Sequence, residues 1–381
     1  MEYHIIAILG KVADTMKQNP ATYTSDLNYL KIADKRYINA THCLLENLAK
    51  SHFTLIGTKD AIDSNREFAG EHCEFREVGD ERIEDIFDKT LESIKNSTCQ
   101  KIILDVTHGF RFQPIVASFA SVLGQVNYNK NIEIIYAMEV EARTLYRYIS
   151  LEKYVEKSLL SLQLQSFHQR LVISDTNSKN PLIESLANFC KYLHSNDFNK
   201  LFIELDKVNK ILESSDDFSG LESVLEKVRE VIKIFDNIKE TKEQWRQYYK
   251  LAYLMKVKGY YLIAIAYVYE AIPRYVYEIL KERGDMLSNK ENRDYTKMNA
   301  IKQAMIIDIS KKKVADEKGV FKDIDKAVAF IKEIAVKKAL GNIMKEVDRA
   351  RNDAAHINTK QNNNELEQIL EKSLQRLKEL K

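Results

Sequence analysis

The stretch Lys101-Ile102-Ile103-Leu104-Asp105-Val106-Thr107-His108-Gly109-Phe110-Arg111, followed closely by Pro114, decides how the first half of this chain is read. Its opening, KIILDV, is apolar without alternation, as expected of a strand buried on both faces. It breaks at a glycine and runs into a helical pattern over residues 114–125. In an open α/β sheet, ligands bind outside the carboxyl ends of the strands, so a site is expected at the 105–111 turn. A helix start there offers unpaired N–H groups and a partial positive charge, both suited to a phosphate. Gly109 lets the backbone approach closely, His108 and Arg111 add side-chain donors, and Asp105 can accept loop amides and hold the turn. A strand-to-helix turn in which Asp105 and Thr107 satisfy loop amides needs no ligand, and the residues alone leave both readings open.

On either side, short β-rich runs alternate with helical patterns. Strands are expected at residues 4–9, 53–57, 101–106, 132–138 and 144–149, and helices near 37–50, 81–95 and 114–125. That order predicts a mostly parallel sheet flanked by helices. Gly10 and Lys11 follow the first strand and would form the opposite lip of the same crevice, where Lys11 could meet a phosphate; Gly57-Thr58-Lys59 is a weaker candidate that also reads as an exposed turn. Glycine and proline number eight in residues 1–150 and seven in the remaining 231, so the second part is read as mostly helical. Polar breaks fall at 174–180, closing at Pro181 as a first helical residue, and at 214–220. An aromatic-rich helix or helix pair covers 245–283, with a kink or boundary expected at Pro273. Lys311, Lys312 and Lys313 read as a solvated helix end, and Leu366, Leu370, Leu374 and Leu377 as one face of an amphipathic helix. No internal repeat is found.

A chain of 381 residues suggests two or three domains. Lys plus Arg total 58 against 56 Asp plus Glu, a net charge of +2, so any RNA or DNA contact must be local rather than driven by bulk charge. At 45% hydrophobic and 30% charged residues, disordered and collagen-like classes are excluded. The longest apolar run, 260–269, is half of the ~20 residues a membrane span requires. MEYHIIAILGK has no cationic lead and reads as a strand rather than a signal peptide, so a cytoplasmic location is expected. Cys43, Cys73, Cys99 and Cys190 form no CxxC and read as small buried apolar groups.

A second chemical string is Arg351-Asn352-Asp353-Ala354-Ala355-His356. A guanidinium can stabilise the charge gathered on a phosphorane-like transition state, and an imidazole can exchange protons near neutral pH. A metal-independent ribonuclease needs that pair of capabilities. A five-residue offset turns about 140° around an α-helix, so the pair would not share one face, and a helix junction or a second subunit is needed to bring the groups together. Spacing alone is weak: Arg36–His42, Arg66–His72 and Arg349–His356 are comparable pairs. Arg349 competes for the Arg role, and Asp348 and Asp353 add negative charge, which is expected to face solvent.

The string DVTHGFR resembles the signature of CRISPR-associated DxTHG proteins, with Asp105, Thr107, His108 and Gly109 all present and Phe110, Arg111 and Pro114 similar to its continuation. Arg351, Asn352, the small Ala354 and Ala355, and His356 resemble the motif of HEPN ribonuclease domains, and residues 253–278 resemble their long first helices. The resemblance to this CARF–HEPN family of type III CRISPR ancillary nucleases implies a Rossmann-like α/β CARF sensor at 1–150, an all-α connector at 151–240 and a helical HEPN domain at 241–381. It implies a cyclic oligoadenylate activator, with cyclic tetra-adenylate the first expectation and cyclic hexa-adenylate the second, bound at Gly10, Lys11, Asp105, Thr107, His108, Gly109, Phe110 and Arg111. Catalysis would fall to Arg351 and His356 with Asn352 in support, brought together in a homodimer or larger homo-oligomer that cuts single-stranded RNA by 2′-OH attack, with no cofactor, metal or membrane. Two rivals remain: a noncatalytic ligand-sensing dimer that regulates a partner, and a constitutive HEPN toxin.

Overall fold

β1 (His4–Ile8) is buried at every position, and its alternate residues enter two different apolar clusters. Ile5 and Ala7 join Phe53, Leu55, Ile103 and residues such as Leu44 and Ile62, while Ile6 and Ile8 join Ile102, Leu104, Ile86 and Ala117. A strand with a core on each face must sit inside a sheet covered on both sides. The computed structural model describes residues 3–70, 73–80, 82–174, 180–214, 218–288, 293–306, 319–355 and 363–380, and compact packing divides the chain between Leu159 and Leu160.

In the first unit, β2 (Ala21–Ser25), β3 (Arg36–Tyr37), β4 (His52–Gly57), β5 (Cys73–Glu77), β6 (Lys101–Asp105), β7 (Asn131–Glu141) and β8 (Leu145–Ser150) join β1 in one sheet of order β3-β2-β8-β7-β6-β1-β4-β5. The β1, β4, β5, β6 and β7 ladder is parallel throughout, with Ile5 opposite Phe53 on one side and Ile103 on the other. The β7–β8 and β2–β3 pairs are antiparallel. Helices α1 (Asp14–Gln18), α2 (Ala40–Asn47), α3 (Lys59–Asn65), α4 (Ile83–Asn96) and α5 (Phe112–Tyr128) complete a Rossmann-like α/β unit, as expected.

Each expected strand is present, with ends displaced by a few residues. β2, β3 and β5 were not anticipated. ATYTS and CEFRE carry little apolar weight, and they become strands because β8 and β4 offer them a parallel edge.

The second unit is helical: α6 (Glu152–Arg170), within which the division falls, then α7 (Pro181–His194), α8 (Phe198–Ser214), α9 (Glu222–Lys239), α10 (Gln244–Val257), α11 (Tyr261–Arg283), α12 (Asp294–Ile306), α13 (Ile324–Lys337), α14 (Leu340–Ala355) and α15 (Asn363–Lys378). Asn180 caps α7 through its side chain, with Pro181 next in the first turn as expected. Leu366, Leu370, Leu374 and Leu377 are buried along α15. Among the described residues one apolar core runs from Leu164 to Leu380, drawing on both the 151–240 and the 241–381 segments of the sequence reading.

Pro273 does not end a helix. α11 continues through it, and the boundary lies earlier, at Gly259 with its φ of +81°. The missing Pro273 N–H removes one helical hydrogen bond, yet α11 carries on past it with Ile272, Pro273 and Tyr275 buried. No helix among the described residues is long and apolar enough to cross a membrane. Lys311, Lys312 and Lys313 lie outside the described residues.

Candidate functional site

Asp105 ends β6 at the middle of the sheet and is wholly buried. Its Oδ1 accepts the Thr107 N–H at 3.0 Å and also the Thr107 hydroxyl, so it holds the turn as its position predicted. Thr107 Oγ1 in turn accepts the Ala137 N–H of β7 at 2.9 Å, tying the loop to the neighbouring strand. Asp105 Oδ2 is buried with no hydrogen-bond partner among the described residues. Burial therefore pushes the carboxyl up to about 6, against the opposing effect of the Thr107 hydrogen bonds.

A buried acid whose folded pKa lies above its ordinary 3.8 stabilises the fold while protonated, and that contribution is lost as the pH rises through 6. Asp105→Asn keeps an oxygen for the Thr107 amide without the charge. The stability of the variant relative to the parent is expected to be more favourable at pH 8 than at pH 4 by about 2 kcal/mol. Hydrogen-exchange protection of β1 and β6 amides, compared between the two proteins at each pH, checks this; a difference that does not change with pH would refute it.

Gly109 has a φ of +102°, a conformation that L side chains rarely adopt. Phe110 donates its N–H to Gln113 Oε1 at 3.0 Å, and Gln113 donates its own N–H to Phe110 O at 2.8 Å, closing the start of α5. That reciprocal pair occupies the Gln113 amide, and Pro114 has no N–H, so the helix start offers fewer backbone donors than the sequence suggested. Phe110 and Arg111 are exposed at the rim.

His108 is turned to the loop's own framework. Its Nε2 accepts the Ala40 N–H at 3.2 Å, and burial lowers its pKa to about 4, so at pH 7 the ring is neutral with its proton on Nδ1. Tyr148, fully buried, donates to Ala40 O at 2.6 Å, so both polar groups of that peptide segment are held. Gly10 lies against this turn: a Cβ there would stand 3.2 Å from His108 Cβ and 3.4 Å from Gly109 N. The two lips expected from the sequence therefore meet. Lys11, by contrast, is exposed and paired with Asp60 at 2.8 Å, which raises its pKa further. Thr58 caps α3, giving the 57–59 turn a structural task.

Asn39, Asn65, Gln113 and Tyr148 were missed by the sequence reading. Asn39 Nδ2 donates to Asn65 Oδ1 at 3.0 Å and Asn65 Nδ2 to Gly10 O at 2.9 Å, linking the start of α2, the end of α3 and the first loop. Asn39 does carry a legible signal, since it caps α2 by accepting the His42 N–H at 2.7 Å. The others lie in no local motif.

In the helical unit, Arg351 and Asn352 stand exposed on the last turn of α14, with Arg351 Nη2 donating to Asn352 Oδ1 at 3.1 Å. The Arg351 guanidinium carbon is 4.2 Å from the centre of the Tyr269 ring on α11. Asp348 is half-buried beside Tyr269 rather than simply facing solvent; burial first, then Asp348, pushes the tyrosine up to about 12. Arg349 is exposed. His356, the proposed partner of Arg351, lies outside the described residues.

Residues 4–144 match the family model described as CRISPR system endoribonuclease Csx1, CARF domain. The match runs from β1 through β7 and ends before β8 and the helical unit. No curated protein matches the chain. The first unit is thus similar to a CARF domain both in its residues and in its fold.

Proposed function

We propose that this protein is a cyclic-oligoadenylate-activated endoribonuclease of type III CRISPR defence, sensing the activator with its first unit and cutting single-stranded RNA with its second. The observation that carries the reading is the CARF match across residues 4–144, with the 105–111 turn at the carboxyl end of the central strand β6. In this reading the activator lies over Gly10 and the 107–111 turn, where Gly109 brings backbone close and Arg111 meets phosphate. Phe110, exposed at the rim, offers a ring to an adenine.

The nuclease assignment rests on resemblance in the helical unit and on the chemistry of Arg351, Asn352 and His356. Arg351 would stabilise charge on the phosphorane while His356 exchanges the proton of the 2′-OH or the leaving oxygen, leaving a 2′,3′-cyclic phosphate and a 5′-OH. A symmetric pair of chains would supply two such sets. The exposed apolar stripe Ile115, Phe119, Leu123 and Val126 along α5 supports association through the first unit, since these side chains recur at helical spacing on one face. Activator binding must then favour the active arrangement by differential affinity for it.

The test is RNA cleavage in EDTA with no activator, with cyclic tetra-adenylate and with cyclic hexa-adenylate. Cleavage that appears only with one of the cyclic compounds is the expected result. His108→Ala and Arg111→Ala should raise the activator concentration required. Ligand binding with no cleavage would instead support a noncatalytic regulator, and cleavage indifferent to ligand a constitutive toxin.

A further inference from the structure

Three helices of the second unit meet at the Tyr269 ring. From α12, Lys302 Nζ lies 3.9 Å from the ring centre, and from α14 the Arg351 guanidinium carbon lies 4.2 Å from it. Lys302 is 4% exposed, and its ammonium is held by Glu270 Oε1 at 2.6 Å. The other Glu270 oxygen meets the guanidinium of Arg274, which is 5% exposed and reaches Asp294 Oδ2 at 2.6 Å. The Arg274 guanidinium in turn lies 4.2 Å from the centre of the Tyr248 ring. The buried cations are therefore matched by carboxylates, as burial of charge demands. Arg351 differs from them, being an exposed cation held against an aromatic ring that the buried Lys302 also meets.

An exposed arginine samples many rotamers, and catalysis by a guanidinium depends on its standing where charge develops. A ring quadrupole attracts the cation without occupying its N–H donors, so a guanidinium over Tyr269 keeps for a phosphate the donors that the Nη2 bond to Asn352 leaves over. Lys302 and Glu270 fix the ring and the turn of α11 that carries it. We infer that Tyr269 is a positioning residue for Arg351, with the Lys302–Glu270 pair as its support. The inference rests on the nuclease reading above and names a component of the same site.

The ring should act through its π-face rather than its hydroxyl or its bulk. In full-length protein with activator, Tyr269→Phe is expected to cleave RNA within about twofold of the parent, and Tyr269→Met about tenfold more slowly in kcat with KM and activator binding little changed. Phenylalanine analogues carrying one, two and three ring fluorines at position 269 keep the shape while draining the π-face, so the rate should fall stepwise through the series. A purely structural ring would give no such gradient. A flat series in folded protein overturns the positioning role, and if Arg351→Ala does not slow cleavage while the series is flat, the nuclease reading of Arg351 falls with it. An Arg351→Ala variant that is inactive beside a flat fluorine series removes only Tyr269.

Discussion

Arg351→Ala and His356→Ala are each expected to lower activator-dependent RNA cleavage by about 10² to 10⁴-fold, the range associated with loss of a proton-transfer or charge-stabilising group. The melting transition and activator binding should be unchanged in Arg351→Ala. Arg351 is exposed on the last turn of α14, and substitutions at such positions usually alter stability by no more than about 0.5 kcal/mol. A large loss of rate with a small loss of stability would therefore be chemical in origin. Arg349→Ala is the necessary comparison. It lies two residues earlier, about 200° around the helix, so it cannot share the place over Tyr269 that Arg351 holds. Seven residues nevertheless separate Arg349 from His356, a spacing that returns to nearly the same face of a continuous helix, within about 20°. Cleavage abolished in Arg349→Ala and retained in Arg351→Ala would transfer the catalytic role to Arg349.

Gly109→Ala should do the greatest damage at the 105–111 turn. A φ of +102° costs a non-glycine residue about 1–3 kcal/mol, and here space is lacking as well. The new Cβ would stand 2.7 Å from Ile8 Cγ2, at the end of a fully buried strand, and 2.8 Å from Gln113 Oε1, the atom that holds the Phe110 amide. Relief requires Gln113 to leave that amide, which would undo the start of α5 and the rim formed by Phe110 and Arg111. Activator affinity is expected to fall about tenfold to a hundredfold, measured by calorimetry, alongside a lower melting temperature of the first unit. Gly10→Ala is the milder control, since its Cβ would approach His108 Cβ at 3.2 Å with no left-handed backbone to strain. Equal affinity in parent and Gly109→Ala would show that the activator does not use this turn.

The site was legible in the sequence where one short segment carries both the geometry and the chemistry. Asp105, Thr107 and Gly109 are such a case: a buried strand, a glycine and a helix start follow one another, and Asp105 does accept the Thr107 amide. The expectation for His108 was less complete. Its donor capacity was apparent from residue type, but Ala40, which occupies Nε2, lies 68 residues away. Of the two outcomes expected at Pro273, the boundary does not form there, because local rules record the lost hydrogen bond and omit the burial around it.

By itself, the sequence determined that an α/β first part precedes a helical remainder, since apolar runs without alternation and the thinning of Gly and Pro are local properties that each segment carries alone. It also determined where the central strand gives way to the 105–111 turn. The tertiary structure decided the order β3-β2-β8-β7-β6-β1-β4-β5, the asparagine link from Asn39 through Asn65 to Gly10, and the meeting of Tyr269, Lys302 and Arg351. Each of these joins residues that are distant along the chain. Such contacts form only when burial of the surrounding apolar surface outweighs the entropy of closing the intervening loops, and that balance belongs to the whole fold rather than to any segment of it.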